Sequence, residues 1–219
     1  KDPNLDKSPV NKNGKWFYNW TDEELLNANR LGAYHRDSEI FDVDFDDKSF
    51  VANSFSSLFP PTLTIGKKVN GRVEPTHLIY RSNGKVKDYK KTQPIVELLA
   101  NTQTIIAGVD RVIINNVEPL SVDVESIKQH VKLVASFSEL VKNWVDEKKR
   151  NDAFFKLGGA LTQTDIPMDL RLKYVEKLCE LTNDLEVSNR LSCIERQQQK
   201  YEEGEENIWG IKELSETLG

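Results

Sequence analysis

The sequence predicts an α+β fold in two parts, with strands and short helices over residues 1–124 and an all-helical bundle over residues 125–219. Three observations carry that prediction. Residues 40–45, Ile-Phe-Asp-Val-Asp-Phe, alternate apolar and acidic side chains, as a half-buried strand does. Asn70-Gly71 between two strand-like runs is a strong two-residue hairpin signal. After Val124 the apolar period changes from two to about 3.6 and stays there. A chain of 219 residues can bury a real core, and two small domains fit its length.

The elements follow in order. Residues 1–14 are polar and turn-rich, with Pro3, Pro9 and Asn13-Gly14, and read as an extended leading segment. Thr21 and Glu24 form a capping box that starts a short helix reaching about residue 29. Residues 31–34 form a strand, followed by the Asp-x-Asp strand and then a helix over 48–58 that Pro60-Pro61 ends. Residues 62–65 and 76–81 are the arms around the Asn70-Gly71 turn, and Asn83-Gly84 is a second turn. Residues 94–99 and 104–107 read as a strand pair, and 112–114 as the last strand before Pro119.

In the second half Ile127, Val131, Val134, Val141 and Val145 recur at helical spacing, widened by Leu133, Phe137, Leu140 and Trp144. One long amphipathic helix over 125–149 is expected. A second spans 151–162, with Gly158-Gly159 marking a close approach or a kink. Asp165 and Pro167 open a third, residues 186–201 make a fourth, and 210–218 a short fifth.

Composition narrows function. Hydrophobic residues at 38% and charged residues at 30% describe a globular protein, and no apolar run approaches a membrane span. The sequence opens on Lys1 rather than Met, which suggests a piece of a longer chain. Cys179 and Cys193 lack partners at zinc-ligand spacing and read as ordinary thiols of a reducing compartment. A net charge of −5 excludes a histone-like binder, yet residues 66–91 carry eight positive side chains against two acidic ones, Glu74 and Asp88. That local excess suits phosphate; its bland alternative is a solvated face.

The candidate chemistry sits on three strand segments. Asp42 and Asp44 share one strand face, roughly 6–7 Å apart, and repel unless a cation or a proton intervenes. His77 and Arg81 share a face of the next segment, and Glu97 lies among Val96, Leu98 and Leu99. Paired carboxylates for divalent cations, with cationic groups for a triphosphate, are what nucleotidyl transfer requires. His35 and His130 have no ligand-like sequence neighbours and read as structural. Trp16, Trp20, Trp144 and Trp209 read as core before base-stacking.

In these residues the chain resembles the archaeo-eukaryotic primase superfamily, in its primase-polymerase branch found in phages, plasmids and other mobile elements. The first motif resembles Ile40-Phe41-Asp42-Val43-Asp44, with Asp44/Asp46 as the alternative metal pair. Pro60-Pro61-Thr62, running on to Gly66-Lys67, is similar to the next element. Thr76-His77, in a strand ending Tyr80-Arg81, resembles the second motif, and Val96-Glu97 with the following Gln103-Thr104 resembles the third. Relatives often continue with Pro-Pro-Ser and a histidine, where this chain reads Ala107-Gly108-Val109-Asp110-Arg111-Val112-Ile113-Ile114-Asn115.

The resemblance implies a catalytic domain with a mixed sheet and an RRM-like core over 1–124, then a helical bundle domain over 125–219. It implies a DNA primase/polymerase that condenses NTPs or dNTPs on single-stranded DNA and extends the primer. Asp42, Asp44 and Glu97 would hold Mg²⁺ or Mn²⁺, and His77, Arg81, Lys67 and Thr76 would hold the nucleotide. The bundle would add the binding surface that starting a primer needs. A helicase-type domain would follow C-terminally, in the cytoplasm of a host cell. The alternative is a nucleic-acid-binding or replication-initiation module whose chemistry has drifted, which the divergent 107–115 segment favours.

Overall fold

A computed structural model describes residues 30–35, 38–45, 50–84, 86–87, 95–100, 103–205 and 210–218. The expected leading segment, the capping-box helix at 21–29, Asp46, Asp47, and the tryptophans Trp16, Trp20 and Trp209 lie outside the described residues. The fold is α+β. Two compact units emerge: one takes the described residues up to Phe45 and those within Pro61–Lys90 and Glu97–Val122. The other takes those within Asp46–Pro60, Lys91–Val96 and Asp123–Gly219.

Among the described residues the first unit has eight strands: β1 (Arg30–Tyr34), β2 (Ile40–Asp44), β3 (Leu63–Val69), β4 (Arg72–Arg81), β5 (Glu97–Leu99), β6 (Gln103–Gly108), β7 (Arg111–Asn115) and β8 (Leu120–Ser121). Five of them lie antiparallel in the order β5-β2-β4-β3-β7, and β8 runs parallel beside β4. β1 and β6 form a separate antiparallel pair. Alternation works as expected on β2: Phe41 and Val43 are fully buried, and Phe41 stacks on Tyr80 of β4 at 5.7 Å. The Asn70-Gly71 turn closes β3 onto β4 with φ of +49° and +79°, the left-handed values that a tight two-residue hairpin demands.

Strand pairing departs from the sequence expectation in one place. The runs at 94–99 and 104–107 do not pair with each other: β5 joins the edge of the main sheet beside β2, and β6 pairs with β1. Neighbouring strands usually pair, but not always, and period-two alternation carries no information about partners. The short β8 was also beyond the pattern. It is held by Thr62, whose hydroxyl accepts from the Leu120 amide at 3.0 Å and donates to the Ile79 carbonyl.

The second unit comprises α1 (Phe50–Ser54), α2 (Val124–Lys142), α3 (Arg150–Thr162), α4 (Met168–Leu181), α5 (Val187–Glu202) and α6 (Ile211–Leu218), with 3-10 turns at Ser56–Leu58 and Glu147–Lys149. Among the described residues no strand follows Ser121. The expected helix over 125–149 ends early, at Lys142. Asn143 is its C-cap: its backbone amide makes the last helical bond, to the Glu139 carbonyl, and its side-chain Nδ2 donates to the same oxygen at 2.9 Å. The apolar rhythm continues through Trp144, but the helix does not. α3 runs unbroken through Gly158, which permits a close approach: a Cβ there would stand 2.8 Å from Cγ of Gln197 on α5.

This core is aromatic. Phe55, fully buried, stacks on Tyr174 at 5.5 Å and meets Phe137 edge-on. Such contacts contribute about 0.5–1.5 kcal/mol each beyond area burial. Trp144 packs edge-on against Phe154 at 4.9 Å, consistent with a core role. Cys179 is buried, and burial pushes its thiol up to about 12, which leaves it inert. Among the described residues no helix is long and apolar enough to cross a membrane.

Candidate metal centre

β2 lies between β4 and β5, and Asp42, Val43 and Asp44 have a partner on both sides. Asp44 stands opposite His77 on β4 and opposite Glu97 on β5. Residues directly opposite share a face, and Asp42, two residues back, shares it too. The sheet therefore brings Asp42, Asp44, His77 and Glu97 to one face. The strand order that does this was not readable from sequence, although the alternation was.

One expectation fails here. A half-buried strand leaves its acidic face to solvent, yet Asp42 is 0% exposed and Asp44 only partly accessible. The reason is the β1/β6 pair. Thr104 of β6 donates its hydroxyl to Oδ2 of Asp42 at 2.5 Å, and Nε2 of His35, just past β1, lies 2.8 Å from that same hydroxyl. His35 does have a buried structural setting, but behind the acidic cluster. Neither Thr104 nor His35 announces this in the sequence, because 62 and 69 positions separate the members of the two contacts.

His77 ties the carboxylates together. Its Nδ1 lies 2.9 Å from Oδ2 of Asp42 and 3.3 Å from Oδ1 of Asp44. Burial pulls the imidazole pKa down, but the Asp42 charge and hydrogen bond, with Asp44 behind them, outweigh it and hold the pKa above its ordinary value, against a push from Arg111. His35 is moved the other way, chiefly by burial, with Asp42 opposing and His77 reinforcing.

Asp42, Asp44 and His77 each offer a ligand atom, all within 4.8 Å of one another. A further observation tests the fit: Oδ1 of Asp42 is buried and has no hydrogen-bond partner among the described residues. An unsatisfied buried carboxylate oxygen costs several kcal/mol, which a divalent cation offsets. Two carboxylates with one imidazole are oxygen and nitrogen donors that suit Mg²⁺, Mn²⁺ or Zn²⁺ and do not choose between them. Glu97 is buried on the same face beside Asp44, but its carboxylate is not part of the group within 4.8 Å.

The other nominated residues lie further out. Arg81 is exposed at the end of β4, opposite Ile40; four residues from His77 along a strand is about 13 Å. Lys67 is exposed on β3, in register with Glu74 and Arg111. Thr76 is half-buried, its hydroxyl accepting from Nη1 of Arg111 at 3.0 Å and donating to the Ile65 carbonyl. Strand alternation turns it away from the His77 face. Asp46, the other half of the alternative pair, lies outside the described residues. No family model matches the chain, and no curated protein matches it.

Proposed function

We propose that this protein is a metal-dependent primase-polymerase, joining NTPs or dNTPs on a single-stranded DNA template and extending the resulting primer. The observation that carries the reading is the convergence of Asp42, Asp44 and His77, with ligand atoms within 4.8 Å of one another, beside a buried Asp42 Oδ1 that has no hydrogen-bond partner among the described residues. Asp42 and Asp44 would hold Mg²⁺ or Mn²⁺, with Glu97 of β5 completing the acidic row beside β2. A bound divalent ion supplies a more acidic 3′-hydroxyl and charge compensation for the departing pyrophosphate. Asp44, the more accessible carboxylate, faces the reacting oxygen, while His77 exchanges its carboxylate contacts for the nucleotide phosphates. Arg81 and Lys67, exposed and cationic, draw the triphosphate and the template strand toward the sheet. The same reading has the protein working with a helicase-type ATPase in the cytoplasm of a host cell.

A second reading is a drifted nucleic-acid-binding or replication-initiation module. One observation favours it: His77 already bridges both carboxylates, and a protonated imidazole relieves their repulsion without metal. The two readings separate on incorporation of labelled nucleotide into a templated product in Mg²⁺ or Mn²⁺. Enzymatic function gives a product that disappears on chelation; template binding with no incorporation in either ion sinks the polymerase reading.

A further inference from the structure

Behind the metal-binding face lies a buried hydrogen-bonded chain that the proposed chemistry does not use. His35 Nε2 meets Thr104 Oγ1 at 2.8 Å, and Thr104 Oγ1 meets Asp42 Oδ2 at 2.5 Å. All three residues are at most 2% exposed, so water does not supply alternatives. A threonine hydroxyl has one proton to give. Thr104 gives that proton to Oδ2 of Asp42. Thr104 then has only lone pairs left for His35, and His35 must present a protonated Nε2.

The direction of every bond is thereby set. His35 donates to Thr104, Thr104 donates to Asp42, and His77 adds a second contact to the same Oδ2. The carboxylate is gripped by one oxygen, which fixes its rotation and leaves Oδ1 as the buried oxygen without a partner. We infer that His35 and Thr104 form a positioning relay that orients Asp42, so that Oδ1 is the atom it offers to a divalent cation. Neither residue touches the cation: both act through Asp42. Hydrogen bonds to a ligating carboxylate ordinarily change metal affinity by 10–100-fold when removed. The metal half of this inference rests on the proposed function; the hydrogen-bond half does not.

Two measurements on the full chain test it. Imidazole ¹⁵N spectra of the metal-free protein at pH 8 are expected to show His35 as the Nε2–H tautomer. A His35 protonated on Nδ1 alone overturns the relay whatever the metal does. Mn²⁺ binding, followed by loss of the free-ion EPR signal, is expected to weaken at least tenfold in Thr104→Val and to return to within about twofold of wild type in Thr104→Ser. Far-UV circular dichroism of both variants reports the fold. Wild-type affinity in a folded Thr104→Val protein overturns the positioning role. A wild-type protein that binds no Mn²⁺ overturns the metal reading and the assignment of Oδ1 as a ligand atom, while the tautomer still decides the relay.

Discussion

Nδ1 of His77 stands 2.9 Å from Oδ2 of Asp42, and the two side chains are 9% and 0% exposed. A buried contact of this kind answers the same electrostatic problem that a bound cation would. With Asp44 alongside, a protonated imidazole offsets one of the two negative charges of carboxylates that otherwise repel.

His77→Ala in metal-free protein is therefore expected to lower stability by about 3 kcal/mol, since it leaves Asp42 charged, buried and short of a partner. Added Mn²⁺ should restore part of the loss. The pH dependence follows from the raised His77 pKa. Its contribution to stability is complete below the unfolded value near 6.5 and fades as pH rises through the folded value. Metal affinity should run oppositely, increasing with pH in the wild type and less steeply in His77→Ala. Urea titrations with and without Mn²⁺, at several pH values, measure all of this; a variant as stable as wild type refutes it.

Asp44→Asn tests the other side of the pair. The substitution is isosteric and falls at the more accessible carboxylate, so the fold and its unfolding midpoint should hold within about 0.5 kcal/mol. Mn²⁺ affinity and templated nucleotide incorporation should each fall at least a hundredfold. Retained incorporation would move the catalytic pair away from Asp44.

Local chemistry was legible in the sequence where it depends on neighbours. Asn70-Gly71 gave the hairpin, and the Asp42/Asp44 spacing placed both acids on one face because the side-chain period of a strand is two. What escaped notice depends on partners far away. That Thr104 reaches Asp42 requires β6 to leave β5 and pair with β1, a choice made by packing rather than by any alternation within residues 94–107. The end of α2 is intermediate. The apolar rhythm runs on through Trp144 and Val145 and masks the C-cap at Asn143, whose side chain joins its amide on the Glu139 carbonyl.

His130 predicts acid sensitivity in the helical unit. It is buried, its ring centroid lies 4.8 Å from that of Phe59, and its Nδ1 is 3.2 Å from the Tyr174 hydroxyl. Burial, with Lys173 adding to it, lowers its pKa to about 4. The sign is opposite to that of His77. Above pH 6.5 the group is neutral in both states and contributes no pH dependence; between about 6.5 and 4 the unfolded chain binds the proton and the folded one refuses it. Roughly 2–3 kcal/mol should be lost across that window. Denaturation followed by helical circular dichroism at pH 7, 5.5 and 4 should show a smaller loss in His130→Phe than in wild type, and equal losses would remove His130 from the account.

Gly158 decides how α3 and α5 approach. In most helices replacing a mid-helix glycine by alanine gains about 1 kcal/mol, because glycine has more backbone freedom to lose. Here the added Cβ would meet Gln197 Cγ at 2.8 Å and Cβ at 3.2 Å, and Ile194 Cδ1 at 3.4 Å. Gln197 is 2% exposed and Ile194 1%, so neither side chain can swing into solvent to make room. Overpacking of this kind costs about 1–3 kcal/mol, enough to cancel or exceed the propensity gain. Gly158→Ala is thus expected to destabilise by up to about 2 kcal/mol net. Truncating Gln197 removes the nearest atom, so Gly158→Ala should cost less in a Gln197→Ala background, with a coupling of at least about 0.5 kcal/mol between residues in contact. A stabilised Gly158→Ala single variant, or strict additivity in the cycle, would show that the helices part freely and that the glycine serves no close approach.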